Sequence, residues 1–310
     1  MVVVSHLSLY LGDSSLLGLR NGVLLFFALS GYLLFRPFLT SRVDLRSYAI
    51  HRAARIVPAY LVALVGVTVL TGDRTFLDDP LVFALFLQNH DRDLWQGFVG
   101  VSWTLVLEVQ FYATLPILAL LIDRSLTRLF LLGAGSFLLN LIGVALGADR
   151  FDLSSYPFMI WTFAPGMLAA MSEVGGVRWT AHPAVLAAGV GLVALGTSAP
   201  WFSLDLASGV GAGLIVAWCV TRRPMLGAAT RLAAVGAALT YSSYLWHVDL
   251  IKMTSSGATA ILGTLAIAAL VYVVVERPVM HWARLTAWGS RQTHHGGDIH
   301  LGHVGVRAKA

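Results

Sequence analysis

Charged residues are scarce in this chain. Only 12% of its 310 residues are Asp, Glu, Lys or Arg, whereas a soluble domain carries about 25%. Hydrophobic residues make up 57% of the chain and its mean hydropathy is +0.76. This composition argues against an ordinary soluble enzyme and indicates a polytopic integral membrane protein.

Cysteine is almost absent too. Cys219 is the single one, so neither an intrachain disulfide nor a cysteine-based metal site is possible. The net charge of +5 comes mostly from arginines spread over several loops. A nucleic-acid partner would need a basic stripe on one face, so none is expected. We also expect no metal: the histidines within 294–303 lie in a polar, glycine-rich tail that predicts disorder.

The apolar runs predict an all-α fold. A crossing needs about 20 apolar residues, and the chain supplies nine candidate spans, at 22–38, 56–71, 103–122, 129–146, 156–171, 183–197, 206–221, 233–251 and 258–275. Residues 2–11 are interpreted as the end of one more helix, which makes about ten transmembrane helices with the first apparently truncated. Residues 81–88 are too short to cross and are interpreted as a re-entrant or interfacial segment. We expect a membrane domain over 1–285 and a disordered tail over 286–310.

Basic residues between these spans fall mainly on one side if the spans alternate. That side carries Arg42, Arg46, Arg52, Arg55, Arg124, Arg128, Arg178, Arg222, Arg223, Arg277, Arg284, Arg291, Arg307 and Lys309. The positive-inside rule then predicts that this side and the C-terminus are cytoplasmic.

Glu108 is the first candidate site residue because it lies inside the apolar run 103–122. Insertion scales put the cost of a central acidic residue at roughly 2.5 to 3.5 kcal/mol, so such residues normally face the bundle interior and serve a function. Alternatively, Glu108 would lie on the substrate path of a transporter or flippase.

Four further features, each of one or two residues, are ambiguous when taken singly. Arg52 and Arg55 are three residues apart, so on a helix they share a face and suit one anionic group, but juxtamembrane arginines often set topology or contact lipid headgroups. His6 suits a general base, but it also suits a helix end facing water. Ser30 with Gly31 allows close approach of a helix or a ligand. His247 lies beside aromatic residues typical of a membrane interface.

In chain order, these residues belong to motifs that resemble acyltransferase family 3. The motifs are Phe26-Phe-Ala-Leu-Ser30-Gly31-Tyr32, His51-Arg52-Ala-Ala-Arg55-Ile-Val-Pro58-Ala-Tyr60, Ser102-Trp103-Thr-Leu-Val-Leu-Glu108-Val-Gln110-Phe-Tyr112, Tyr241-Ser-Ser-Tyr-Leu-Trp-His247 and Glu276-Arg277-Pro278. The resemblance implies a bacterial membrane enzyme that moves an acyl group from acetyl-CoA or another acyl-CoA to a hydroxyl. The acceptor would be a sugar, polysaccharide, glycolipid or natural product, and the other partners would be membrane lipids.

The resemblance also implies roles for residues. His6 matches the catalytic base, and Arg52 with Arg55 matches the pair proposed to bind acyl-CoA. We add that Glu108 orients the His6 imidazole. Direct transfer and an acyl-enzyme route both stay open. Ser30, Tyr112 and His247 are candidates for contacting the substrate or the developing oxyanion.

The chain departs from the family pattern at its N-terminus. Family members usually carry an arginine about eleven residues before the histidine, a position that would precede Met1, and we expect the natural start to lie upstream. No esterase-like domain follows the last span, which favours a stand-alone enzyme with a small or lipid-linked acceptor. A non-catalytic partner subunit is the second alternative, and no pattern predicts the oligomeric state.

Overall fold

The computed structural model describes residues 1–13, 16–95, 98–196, 205–222, 229–254 and 256–295, and their regular elements are all helices. The α-helices are α1 (Val2–Tyr10), α2 (Gly22–Thr40), α3 (Leu45–Thr71), α4 (Thr75–Asp78), α5 (Pro80–Ala84), α6 (Ser102–Ile122), α7 (Leu126–Ala145), α8 (Arg150–Leu153), α9 (Tyr156–Met159), α10 (Ala164–Val174), α11 (Pro183–Gly196), α12 (Leu206–Arg222), α13 (Ala229–Met253), α14 (Gly257–Val271) and α15 (Arg277–His295). Short 3₁₀ turns cover Leu17–Asn21, Gln88–His90, Ile160–Thr162 and Trp179–Ala181, and a π-turn at Tyr272–Glu276 joins α14 to α15.

Five helical stretches in the described chain are long and apolar enough to cross a membrane. They are Gly18–Thr40, Leu45–Thr71, Ser102–Ile122, Leu126–Ala145 and Gly257–Thr286. The apolar helices α11 and α12 are shorter. The all-α integral membrane class is therefore confirmed, but ten crossings are not. Large apolar side chains such as Leu120 and Phe130 are more than 70% exposed, as expected for surfaces that face lipid.

The predicted span 156–171 is wrong as a single helix. It is divided into α9, a 3₁₀ turn and α10. Pro157 and Pro165 lie in the first turns of α9 and α10. Proline has no backbone N–H to donate and disfavours helical geometry at the residue before it, so each proline starts a new helix.

Helix α3 begins eleven residues before the predicted span 56–71. Asp44 caps it by accepting hydrogen bonds from the backbone N–H groups of Arg46 and Ser47, which satisfies donors that a helix start leaves free. Pro58 lies inside the helix. The residues assigned to a loop, including Arg52 and Arg55, are therefore on α3.

The predicted start of the tail, residue 286, falls inside a helix. Helix α15 continues across residues 286–295, while the remaining residues 296–310 lie outside the described chain. Pro278 is in the first turn of α15, where its missing N–H costs little.

Helix α6 lies between the two apolar cores. Trp103, Leu107 and Phe111 pack into a core formed with α2, α10 and α12. Leu105 and Val106 pack into a second core with α3 and α13. A residue in the middle of α6 can therefore meet side chains from both halves of the bundle.

Helices α2 and α10 approach each other through glycine. A Cβ atom added to Gly166 would lie 1.7 Å from the carbonyl oxygen of Ala28, and one added to Gly31 would lie 2.2 Å from that of Phe163. Only glycine permits this separation. The interpretation of Ser30-Gly31 as a point of close helix approach is confirmed at Gly31.

Candidate active site

Glu108 lies in the interior of α6 and is 5% exposed. The hydroxyl of Ser30 on α2 donates to Oε1 of Glu108 at 3.1 Å, and the hydroxyl of Tyr112 donates to the same oxygen. These two donors offset part of the cost of removing the carboxyl group from water. Glu108 thus faces the bundle interior, as its position in the sequence predicts.

A chamber of about 480 Å³ opens beside Glu108. Its wall is mostly apolar, with a few polar groups, which is the usual character of a small-molecule site. Helices α1, α2, α3, α6, α13 and α14 contribute to it. The polar residues of the wall are Arg55, Thr104, Glu108, Tyr112, Thr240, Tyr241, Ser243 and Tyr244.

Most of the remaining wall hydroxyls are already used. Tyr241 and Thr240 donate to backbone carbonyls at 2.9 and 2.7 Å. Thr104 donates to a carbonyl at 2.9 Å, so in its 2.6 Å contact with Tyr244 it is the acceptor. Among the chamber residues that the structure describes, Ser243 has a hydroxyl with no hydrogen-bond partner.

His6 pairs with His247. Nδ1 of His6 is 2.8 Å from Nε2 of His247, and the two rings stack with centres 5.1 Å apart. Nδ1 of His247 is 2.7 Å from the carbonyl oxygen of Tyr244. His247 is fully buried, and its neighbours Ser243 and Tyr244 line the chamber, whereas His6 itself is not among the lining residues.

The carbonyl of Tyr244 determines which nitrogens carry protons. A carbonyl oxygen can only accept, so Nδ1 of His247 must donate. In a neutral imidazole, Nε2 of His247 is then an acceptor, and Nδ1 of His6 donates to it. Nε2 of a neutral His6 is therefore left with a free lone pair.

Arg52 and Arg55 are both on α3 but have different neighbours. Nη1 of Arg55 donates to Oε2 of Glu276 at 2.8 Å, and Arg55 lines the chamber. The guanidinium carbon of Arg52 lies 5.8 Å from the ring centre of Tyr112, within the range of a cation–π contact.

The structure brings several of the predicted site residues together. Glu108, Tyr112 and Arg55 line the chamber, and behind this wall Ser30 bonds to Glu108 while Arg52 lies over the ring of Tyr112. The expected pairing of Glu108 with His6 is wrong. Glu108 bonds to Ser30 and Tyr112, while the ring nitrogen of His6 is held by His247.

Sequence reasoning missed three residues of this region. Tyr244 was interpreted as an interface aromatic, yet its carbonyl orients His247 and its ring lines the chamber. Ser243 and Glu276 lie within the family motifs, but the sequence predicts no role for either residue. One signal for Ser243 was present in the sequence. Positions 243 and 247 are four residues apart and therefore share a helix face.

Comparison with known proteins settles the family. The model of the acyltransferase family 3, described as an acyltransferase domain, matches residues 1–275. The chain belongs to this family. This acyltransferase is also 28% identical to Nodulation protein 10 of Rhizobium leguminosarum bv. viciae, in an alignment that is 336 positions long with its gaps and covers 88% of the chain and 87% of that protein. No solved structure matches it.

The family match covers the helices that build the site. It includes α1 with His6, α3 with the arginines, α6 with Glu108 and α13 with His247. The chamber and the histidine pair of this acyltransferase thus belong to its family domain.

Proposed function

We propose that this membrane protein is an O-acyltransferase that moves an acyl group, most simply acetyl, from acyl-CoA to a hydroxyl of a sugar, polysaccharide, glycolipid or natural product. One observation carries the proposal. The chain of contacts from the Tyr244 carbonyl through His247 to His6 leaves Nε2 of His6 able to accept a proton.

The reaction follows from that lone pair. Nε2 of His6 accepts the proton of the acceptor hydroxyl as the oxygen attacks the thioester carbonyl. A C–O bond forms, the C–S bond breaks, and the proton passes from His6 to the departing thiolate. His247 supports the transient imidazolium because its Nε2 accepts from Nδ1 of His6.

The developing oxyanion needs a free donor. The hydroxyls of Ser30 and Tyr112 are committed to Glu108, and the ring nitrogens of His247 are committed to Tyr244 and His6. We therefore assign this role to Ser243, whose hydroxyl is uncommitted and lines the chamber one helical turn from His247.

In this proposal the acyl donor and the acceptor reach the site from opposite sides of the membrane. The positive-inside rule predicts that the Leu45 end of α3 and the C-terminus are cytoplasmic, on the side where the donor is available. Arg52 and Arg55 are roughly 10 to 15 Å along α3 from that end. His6 lies farther toward the opposite side, since Tyr10, one turn beyond it on α1, contacts the carbonyl of Lys252. We place the protein in a bacterial cytoplasmic membrane, with the acceptor arriving from that opposite side.

The test is acyl transfer in membranes that contain the protein. Radiolabelled acetyl-CoA is supplied with a hydroxylated acceptor extract, and the labelled ester is measured. We expect His6→Ala to lose transfer while still inserting, and the control His281→Ala, at an exposed position of α15, to keep it. Undiminished transfer by His6→Ala would eliminate the base. Glycolipid flux without any acyl-CoA requirement would indicate a transporter, and absence of acyl-CoA binding would indicate a non-catalytic subunit.

A further inference from the structure

The two arginines that the family resemblance assigns to one ligand have unlike surroundings. Arg55 forms an ion pair with Glu276, a carboxylate that is 1% exposed. The hydroxyl of Ser242 donates to the other oxygen of Glu276 at 2.6 Å. The positive charge of Arg55 is therefore balanced inside the protein, by a carboxylate that is itself hydrogen-bonded on both oxygens.

Arg52 has no such partner. Its Nε atom is buried without a hydrogen-bond acceptor, and within the described chain no carboxylate forms an ion pair with it. Glu108, the other buried carboxylate of this region, attracts the charge of Arg52 but forms no ion pair with it, and its hydrogen bonds come from Ser30 and Tyr112. A buried guanidinium donor without an acceptor is unfavourable, so this position suits an anion that binds from outside the chain.

The carboxylate that pairs with Arg55 lies at the end of the π-turn. A π-turn adds a residue to a helical turn, and such turns recur at functional sites. Here the π-turn Tyr272–Glu276 ends on the buried Glu276, which bonds to Arg55 on α3 and Ser242 on α13. Arg55 is thereby part of the junction that connects α3, α13 and the start of α15.

We infer that the two arginines divide the work: Arg52 is the residue that binds the phosphates of the acyl-CoA donor, while Arg55 is a positioning residue held by Glu276. This inference rests on the proposed function, because it takes the donor from it. Guanidinium groups suit phosphate because they offer parallel N–H donors. Arg55 lines the chamber wall, and its charge is already balanced by Glu276, whereas that of Arg52 has no carboxylate in an ion pair.

The experiment compares Arg52→Gln with Arg55→Gln, the same substitution on the same helix. CoA binding to the purified protein in lipid nanodiscs is measured by calorimetry, and thermal unfolding is followed in parallel. We expect Arg52→Gln to weaken CoA binding by about tenfold to a hundredfold, the range for losing one charge-assisted contact, with an unchanged melting temperature. Arg55→Gln should lower the melting temperature and leave CoA binding by the folded protein nearly intact.

The partner of Arg55 supplies a second measurement. Glu276→Gln should lower the melting temperature as Arg55→Gln does. The double variant Arg55→Gln/Glu276→Gln should regain part of the loss, because removing one member of a buried ion pair leaves the other uncompensated.

The outcomes separate the inference from the proposed function. Equal loss of CoA affinity in both single arginine variants, or loss in Arg55→Gln alone, overturns the division of work. Wild-type protein that binds no CoA also overturns it. Wild-type protein that binds CoA through Arg52 but transfers no acyl group overturns the proposed function and leaves the division standing.

Discussion

Nδ1 of His6 lies 2.8 Å from Nε2 of His247, although 241 positions separate them in the chain. The contact joins α1 to α13 at the edge of the chamber. A second imidazole thus occupies the position that an acidic residue takes in a hydrolase triad. An imidazole partner orients the base without adding a negative charge to an apolar region.

Replacing His247 tests this relationship. His6→Ala should lower kcat by about 10²- to 10⁴-fold, the usual contribution of a general base. His247→Ala should give a smaller loss of kcat with an unchanged acceptor KM, because the base remains but its ring is no longer oriented. Initial rates over an acceptor series check both values. Unchanged kcat in His247→Ala would show that His6 needs no orienting partner.

Ser243→Ala tests the oxyanion donor. Loss of one such donor typically lowers kcat by about 10²- to 10³-fold, and we expect this with little change in the donor KM. The matched control is Thr240→Val on the same helix and in the same wall, since its hydroxyl is already used by the carbonyl of Gly236. A comparable loss in both variants would indicate a change in chamber shape and would contradict the role of Ser243.

Glu108 should matter for stability as well as for activity. In Glu108→Ala, the hydroxyls of Ser30 and Tyr112 lose their acceptor, at a cost of about 1 to 3 kcal/mol for each buried group left unsatisfied. Glu108→Gln keeps an oxygen that can accept from both. We therefore expect a lower melting temperature in Glu108→Ala than in Glu108→Gln, measured in detergent. Equal melting temperatures would mean that the two hydroxyls find other acceptors.

Gly166→Ala should destabilise the contact between α2 and α10. Its Cβ would lie 1.7 Å from the carbonyl oxygen of Ala28, and overpacking of this kind costs about 1 to 3 kcal/mol or more. Gly135→Ala on α7 is the control, because nothing lies within 4 Å of its Cβ. Thermal unfolding should separate the two variants, and equal melting temperatures would show that the helices can move apart freely.

Several features of the fold could be predicted from local sequence. The apolar run containing Glu108 is observed as α6 over Ser102–Ile122, close to the predicted 103–122. The break in the span 156–171 is also predictable, because Pro157 and Pro165 each favour the start of a new helix. The early start of α3 was missed because a capping aspartate such as Asp44 is a weaker signal than an apolar run.

The candidate site was only partly predictable. The order of the motifs identified His6, Arg52, Glu108 and His247 as candidates. In the structure these residues lie in one region of the bundle. Their partners were not predictable. By analogy with hydrolases, the sequence predicts that Glu108 orients His6. The spacing of three residues predicts one shared role for the two arginines.

By itself, the sequence determined the membrane class, the helical content and the carboxylate that had to face the interior. These properties depend on the transfer free energy of residues near one another in the chain, so local composition suffices. Only the tertiary structure decided that His247 holds His6, that Glu276 holds Arg55 and that Arg52 is left without an acceptor. Hydrogen bonds form only within about 3 Å, and residues on helices far apart in the chain reach that distance only through the packing of the whole bundle.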